Sequence, residues 1–315
     1  NVALKQAASD QQRLWFYLLE EGEKPILPTE MQEHDVIAFC HSTEVLRQSV
    51  MEWIVLRDLP KVHSELHQDP VAKKEYHSWL LNVEAETHRL LDSLLGEPQH
   101  LTWYFGAEKQ VVGDKRMLQA ALSALVESYY QLTPKIRNEL INWDTPSSSA
   151  NTGRKRLMCA MITHPDLEDL AIEKTPAEKS IYLSLLKASK LHRKEEGQWG
   201  FYEPKVDDDP CYIAPVWQEI HKLFDEKSGQ QVPIKTIYQH LQKPPYGIKQ
   251  GVLPVLLLTY LLANRREVAL YQEDVFCDSI TLEHIELLSR RPEMFKIERF
   301  ELTGLHGEVF NRYCS

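Results

Sequence analysis

The residues of this chain with the most chemical potential are scattered, and each group has to be weighed for what its spacing permits. His63 and His67 stand four apart, the helical interval at which two imidazoles can share a metal, but no third ligand lies near them in sequence. Asp207-Asp-Asp209 has the charge to attract Mg²⁺, although such a run in a polar loop is commonly only solvated. His164, Asp166, Glu168 and Asp169 bunch acid and base groups within six positions, the raw material of a general acid–base site. Ser147-Ser-Ser149 precedes Arg154-Lys-Arg156, so a helix starting at the serines would offer backbone N–H groups and then cations to a phosphate. The alternative is a serine N-cap followed by an exposed basic face.

Motifs that organise nucleotide, metalloprotease or serine-hydrolase chemistry are absent. There is no G-x-x-x-x-G-K-[ST], no H-E-x-x-H and no G-x-S-x-G. Five cysteines (Cys40, Cys159, Cys211, Cys277, Cys314) have no C-x-x-C pair, which reads as reduced thiols in a cytoplasmic protein. No catalytic, metal or cofactor site is expected. The net charge of −10 disfavours wrapping by a polyanion over the whole surface. Charge is uneven, though: residues 133 to 194 hold 11 Lys/Arg against 7 Asp/Glu, leaving the rest at −14. The longest uncharged apolar run, Val252 to Ala263, has 12 residues and a proline, too short to span a bilayer.

The elements that must position these groups read as mainly α. A first helix is expected from Ala3 to Glu21 and a second from Ser42 to Asp58, stopping before Pro60. Asp69 as N-cap and Pro70 at the first helical position open a third. Along it Tyr76, Leu80, Val83, Thr87, Leu90 and Leu94 alternate spacings of four and three, the seam of a helical bundle. Leu101 to Phe105 and Gln110 to Val112 read as a hairpin, followed by helices over 115–131, 135–142, 154–164 and 176–192. Helices are expected at 215–227, 233–241 and 248–264. A hairpin through Arg265 to Asp278, a helix from Thr281 to Arg290 and a strand at 295–302 close the chain. The expected layout is a helical bundle (1–98), a hairpin plus helical region with the basic segment (99–200), and a winged-helix-like domain (201–315). In that last domain Lys249, Arg265 and Arg266, with Lys235 and Gln239, are the groups left for DNA, because Val252 to Ala263 carries none and the wing (Gln272, Glu273, Asp274) is acidic.

Two stretches carry a family resemblance. Thr133-Pro-Lys-Ile-Arg-Asn-Glu-Leu-Ile-Asn142, continuing through Ser147-Ser-Ser-Ala150 to Arg154-Lys-Arg156, is one. Pro244-Pro-Tyr-Gly-Ile-Lys-Gln-Gly-Val-Leu-Pro254, running on to Glu267-Val-Ala-Leu-Tyr271, is the other. Together they resemble the C-terminal parts of large bacterial ATP-binding proteins from phage-defence loci, including BREX-like systems. The resemblance implies a motor domain upstream and a chain that is part of a larger protein. It implies an interaction or scaffold role toward partner subunits, with DNA as a further partner and no membrane. Lys135, Arg137, Arg154, Lys155, Arg156, Lys249, Arg265 and Arg266 are then the candidate nucleic-acid contacts. A winged-helix regulator that reads duplex DNA is the alternative, and an enzyme built on His164, Asp166, Glu168 and Asp169 a more distant one.

Overall fold

The computed structural model describes residues 14–19, 22–32, 35–41, 43–63, 69–225 and 229–300. It has two compact units, Asn1–Tyr129 and Tyr130–Ser315, where the sequence reading drew three segments. Both units mix helix and sheet. Three sheets stand beside nine α-helices among the described residues, which corrects the expectation of a mainly α bundle plus a winged helix.

The first unit is built on a sheet of order β1-β2-β3-β4. Strand β1 (Leu14–Leu18) runs parallel to β2 (Val36–Cys40), with Leu14 opposite Val36. Helices α1 (Glu44–Val62) and α2 (Pro70–Gly96) form an excursion, after which β3 (Leu101–Phe105) returns antiparallel to β2 and turns into β4 (Glu108–Gln110). Helix α3 (Lys115–Tyr129) completes the unit. All five residues of β2 are buried, and their period-two alternation feeds two cores. Val36 and Ala38 pack with Trp103, Val112 and Leu118, while Ile37 and Phe39 pack with Leu19.

The expected helix at 3–21 is therefore overturned at Leu14–Leu18; residues 1–13, 20 and 21 lie outside the described residues. Leu14-Trp-Phe-Tyr-Leu18 is too short for periodicity to separate helix from strand, and its three aromatics favour a half-buried strand. Helix α1 runs through Pro60, whose missing N–H frees the Leu56 carbonyl to accept from the Tyr76 hydroxyl at 2.9 Å. Helix α2 begins as expected: Asp69 accepts from the N–H groups of Val71 (2.8 Å) and Ala72 (3.4 Å). Its seam faces α1, with Val83 and Thr87 buried and the Ser49 and Thr87 hydroxyls 2.7 Å apart.

In the second unit, α4 (Ser148–Thr163) is followed by α5 (Ala177–Ile181), which widens into a π-helical turn at Tyr182–Lys187. The hairpin β5 (His192–Glu195) and β6 (Gln198–Phe201) follows, then α6 (Ala214–Asp225), β7 (Val232–Pro233), α7 (Ile234–Leu241) and α8 (Leu253–Ala263). Strands β8 (Val268–Gln272) and β9 (Val275–Cys277), helix α9 (Leu282–Arg290) and β10 (Phe295–Arg299) are the last described elements. Here β10 inserts between β7 and β8, giving the order β7-β10-β8-β9. The helix that a winged-helix reading would offer to a DNA groove, α8, is buried from Leu253 through Leu261. Its residues are apolar all round, so the core takes every face.

Candidate functional site

A cleft of about 630 Å³ opens in the second unit. Its floor is one stripe of α4: Thr152, Lys155, Arg156, Cys159, Ala160, Thr163 and His164, at helical spacings of three and four. That stripe is about 18 Å long at 1.5 Å per residue. Helix α4 starts where the serines announced it, with Ser147 Oγ accepting from the Ala150 N–H at 3.2 Å. The cleft's wall is the segment Leu170–Glu173 with Pro176 and Glu178. Asp169, Leu170 and Ala171 all have left-handed φ (52°, 55° and 54°), a rare run for residues with a Cβ.

A polar lock holds this wall. Asp169 accepts from Lys179 Nζ (2.7 Å) and Lys187 Nζ (2.8 Å), and Lys179 also donates to the Ile172 carbonyl (2.9 Å). Partial burial pushes the Asp169 carboxyl up, but the two lysine hydrogen bonds and charges outweigh it and bring it down to about 2. Behind the wall, His192 is buried against Tyr182, Trp199 and Phe201. Its Nε2 lies 3.0 Å from the Pro165 carbonyl, which can only accept, so Nε2 carries the proton and Nδ1 accepts from the Tyr182 hydroxyl at 3.0 Å. Burial holds this imidazole below its ordinary value of 6.5, with the Pro165 bond offsetting part of the effect. A group depressed in the folded state contributes stability above its unfolded value and loses it as pH falls. Urea midpoints are therefore expected to drop as pH falls from about 7.5 to about 5.5, with a smaller drop in His192→Gln.

The groups that could do chemistry are mostly engaged elsewhere. Burial raises the Cys159 thiol, the opposite of nucleophile activation. Asp208 pairs with Lys190 (2.6 Å to Oδ2) and Asp209 accepts from the Ala214 N–H (2.6 Å), so the acidic run caps and clips local structure. His63 ends α1, and His67 lies outside the described residues. Among the described residues no three His, Cys, Asp or Glu side chains are placed to hold a metal ion.

The eight candidate cations do not converge. Arg154 faces inward: its guanidinium donates to the carbonyls of Gln250 (3.3 Å) and Gly251 (3.2 Å) and to Asn151 Oδ1 (2.9 Å). Lys155 is neutralised by Glu286 (2.7 Å) and Lys249 by Asp144 (2.9 Å). Lys135 sits 5.9 Å over the Tyr212 ring. Arg156 is exposed, 3.9 Å from Glu178, and Arg137, Arg265 and Arg266 are exposed at other places on the unit. Only Lys155 and Arg156 line the cleft.

The two resemblance-bearing stretches, by contrast, meet. Leu132 N–H donates to the Pro245 carbonyl (3.1 Å) and Gly251 N–H to the Trp143 carbonyl (3.0 Å). Gly247 has φ of +59°, with the Tyr130 ring where a side chain would go. Pro134, Ile136 and Ile141 are buried. The expected helix at 135–142 is instead an extended and turning segment clasped against the start of α8. Sequence reasoning missed the Asp169 lock and the β5–β6 hairpin. Glu196-Gly197, both with positive φ, was the available signal for the hairpin. No protein-family model, curated protein or solved structure matches this chain.

Proposed function

We propose that this chain is a non-catalytic interaction and scaffold module that seats a segment of a partner polypeptide in the α4 groove. The observation that carries the reading is the groove itself: an 18 Å helical stripe left open beside a wall locked by Asp169. Apolar Ala160, Ile172 and Pro176 lie beside the exposed Arg156 guanidinium. Such a surface fits an apolar side chain followed by a carboxylate, in the helix-in-groove or extended mode. The family resemblance supports the same role, that of a region of a large bacterial defence ATPase that assembles with other subunits. Reduced cysteines and a cytoplasmic setting belong to that reading; among the described residues Cys40, Cys159, Cys211 and Cys277 are free thiols. No described helix is long and apolar enough to cross a membrane. Dispersal and neutralisation of the basic residues weigh against DNA as the principal partner, since phosphate binding scales with the number of cations brought to one backbone.

Peptides selected from a displayed library against the full chain test this. Selected peptides are expected to bind with micromolar affinity and to lose about tenfold in Ala160→Trp, which fills the groove, and in Arg156→Glu. Equal binding to the native chain and Ala160→Trp rejects the groove. Duplex DNA bound with a log–log salt slope steeper than about −3 would put the nucleic-acid reading in its place.

A further inference from the structure

The wall of the α4 groove is tied to a buried histidine through a single hydroxyl. His192, on β5, is buried against Tyr182 of the π-helical turn and against the rings of Trp199 and Phe201 on β6. Both of its ring nitrogens are used: Nε2 donates to the Pro165 carbonyl and Nδ1 accepts from the Tyr182 hydroxyl, each at 3.0 Å. Tyr182 is fully buried, and Asp169 is a second acceptor within reach of the same hydroxyl. A hydroxyl has one hydrogen to give. While His192 is neutral that hydrogen is spent on Nδ1, and Asp169 is left to Lys179 and Lys187.

A proton taken up at Nδ1 reverses this order. Nδ1 becomes a donor, the Tyr182 oxygen accepts from it, and the hydroxyl hydrogen turns to the Asp169 carboxylate. Nε2 keeps its bond to Pro165, so both N–H groups of the imidazolium are satisfied in place. The added charge is harder to settle. The charged groups that face the ring are Asp169, from the groove wall, and Lys187, from the π-helical turn. Beyond them Lys179 completes the lock, and Glu168 acts on Tyr182. Protonation therefore sets the cations of Lys179, Lys187 and His192 about the carboxylate that both lysines share. Lys187 is the one free to leave. It is 44% exposed, whereas Lys179 is 11% exposed and also holds the Ile172 carbonyl.

We propose that the Pro165–His192–Tyr182–Asp169 chain is a proton-operated release of the groove wall. Protonation of His192 gives Asp169 the Tyr182 hydroxyl in place of Lys187. The wall, whose left-handed run begins at Asp169, then loses one of its two lysine anchors. In mild acid the groove grips its occupant less well. That last step rests on the groove being a binding site; the loosening of the wall does not.

Hydrogen exchange of the full chain at pH about 7.5 and about 5, corrected for the intrinsic pH dependence of exchange, reads the wall without any ligand. Burial holds the imidazole below its ordinary 6.5, so proton uptake falls in the acid part of that range. The reporters are the Leu170 and Ile172 N–H groups, bonded to the Leu167 (3.0 Å) and Asp169 (3.1 Å) carbonyls. Helix α8 is the internal control, since global unfolding would expose it as well. Protection of the wall is expected to fall about tenfold in acid while that of α8 holds. In His192→Gln, whose amide donates to Pro165 and accepts from Tyr182 but does not titrate, the wall is expected to stay protected. Peptides selected against the groove are expected to weaken about tenfold on the native chain over the same range, and not on His192→Gln. A native wall indifferent to pH overturns the proposal, and so does a loosening that His192→Gln shares or that α8 follows. Groove-dependent peptides bound above an indifferent wall leave the groove standing and sink the release alone. A wall that loosens in the native chain only, with no peptide seated in the groove, upholds the release and rejects the groove.

Discussion

Gly251→Ala is expected to destabilise the second unit by about 3 kcal/mol, seen as a fall of about 10 °C in its thermal midpoint. The φ of Gly251 is not the problem; space is. A Cβ there would sit 2.1 Å from the Ile141 carbonyl oxygen and 2.9 Å from its carbon, with Pro146 Cγ also at 2.9 Å. The contact is with backbone, so no rotamer change relieves it. Moving Gly251 away would stretch its N–H bond to the Trp143 carbonyl (3.0 Å) and the Arg154 bond to its own carbonyl (3.2 Å). That second bond matters because Arg154 is buried, and among the described residues no carboxylate neutralises it; backbone carbonyls are what satisfy its charge. Gly96→Ala provides the comparison. Nothing lies within 4 Å of a Cβ at Gly96, and its expected effect is within about 1 kcal/mol of zero. A Gly251→Ala protein with unchanged melting would mean that the clasp between 130–143 and 244–251 is not the keystone the packing makes it.

That clasp also shows what the sequence could and could not reveal. Its two halves were visible as patterned stretches about a hundred residues apart, and the glycines and prolines that punctuate them were conspicuous. What pairs them is a set of backbone bonds and close approaches between distant segments, which leaves no periodic trace. The run Leu253–Ala263 was legible as a buried helix from its unbroken apolarity. Its neighbours suggested a winged helix, because strand order cannot be read from strand signals: nothing in Phe295–Arg299 says that it lies between β7 and β8. Strand β1 was misread for the opposite reason, a short aromatic run whose fate depended on finding β2 as its parallel partner. Lys155 and Arg156 were picked out for their charge and do line the groove, whereas Arg154, identical in type and adjacent in sequence, points inward. One step along a helix turns a side chain by about 100°, and only the packing of α4 decides which of three basic residues the core consumes.

The Asp169 lock should respond to substitution and pH together. Asp169→Asn preserves size but removes the charge that both Lys179 and Lys187 approach. Lys179 is only 11% exposed, so it would be left nearly buried with no carboxylate, only the Ile172 carbonyl and the face of the Tyr182 ring beside it. Depression of the Asp169 carboxyl from 3.8 to about 2 corresponds to stabilisation on the order of 2 kcal/mol near neutrality. The sign follows from that direction. A carboxyl depressed in the folded state contributes fully above its unfolded value of 3.8 and gives the contribution up as pH falls through about 2. Urea midpoints of native and Asp169→Asn proteins are therefore expected to differ most near pH 7 and to converge only as pH falls through about 2. A difference that persists unchanged into acid would assign the loss to packing instead of charge. Because Asp169 opens the left-handed run that forms the groove wall, and each such residue costs about 1–2 kcal/mol, the lysine bonds are what keep that backbone from relaxing. Groove-bound peptides should then weaken in Asp169→Asn even though Asp169 does not line the groove, coupling the lock to whatever the α4 stripe holds.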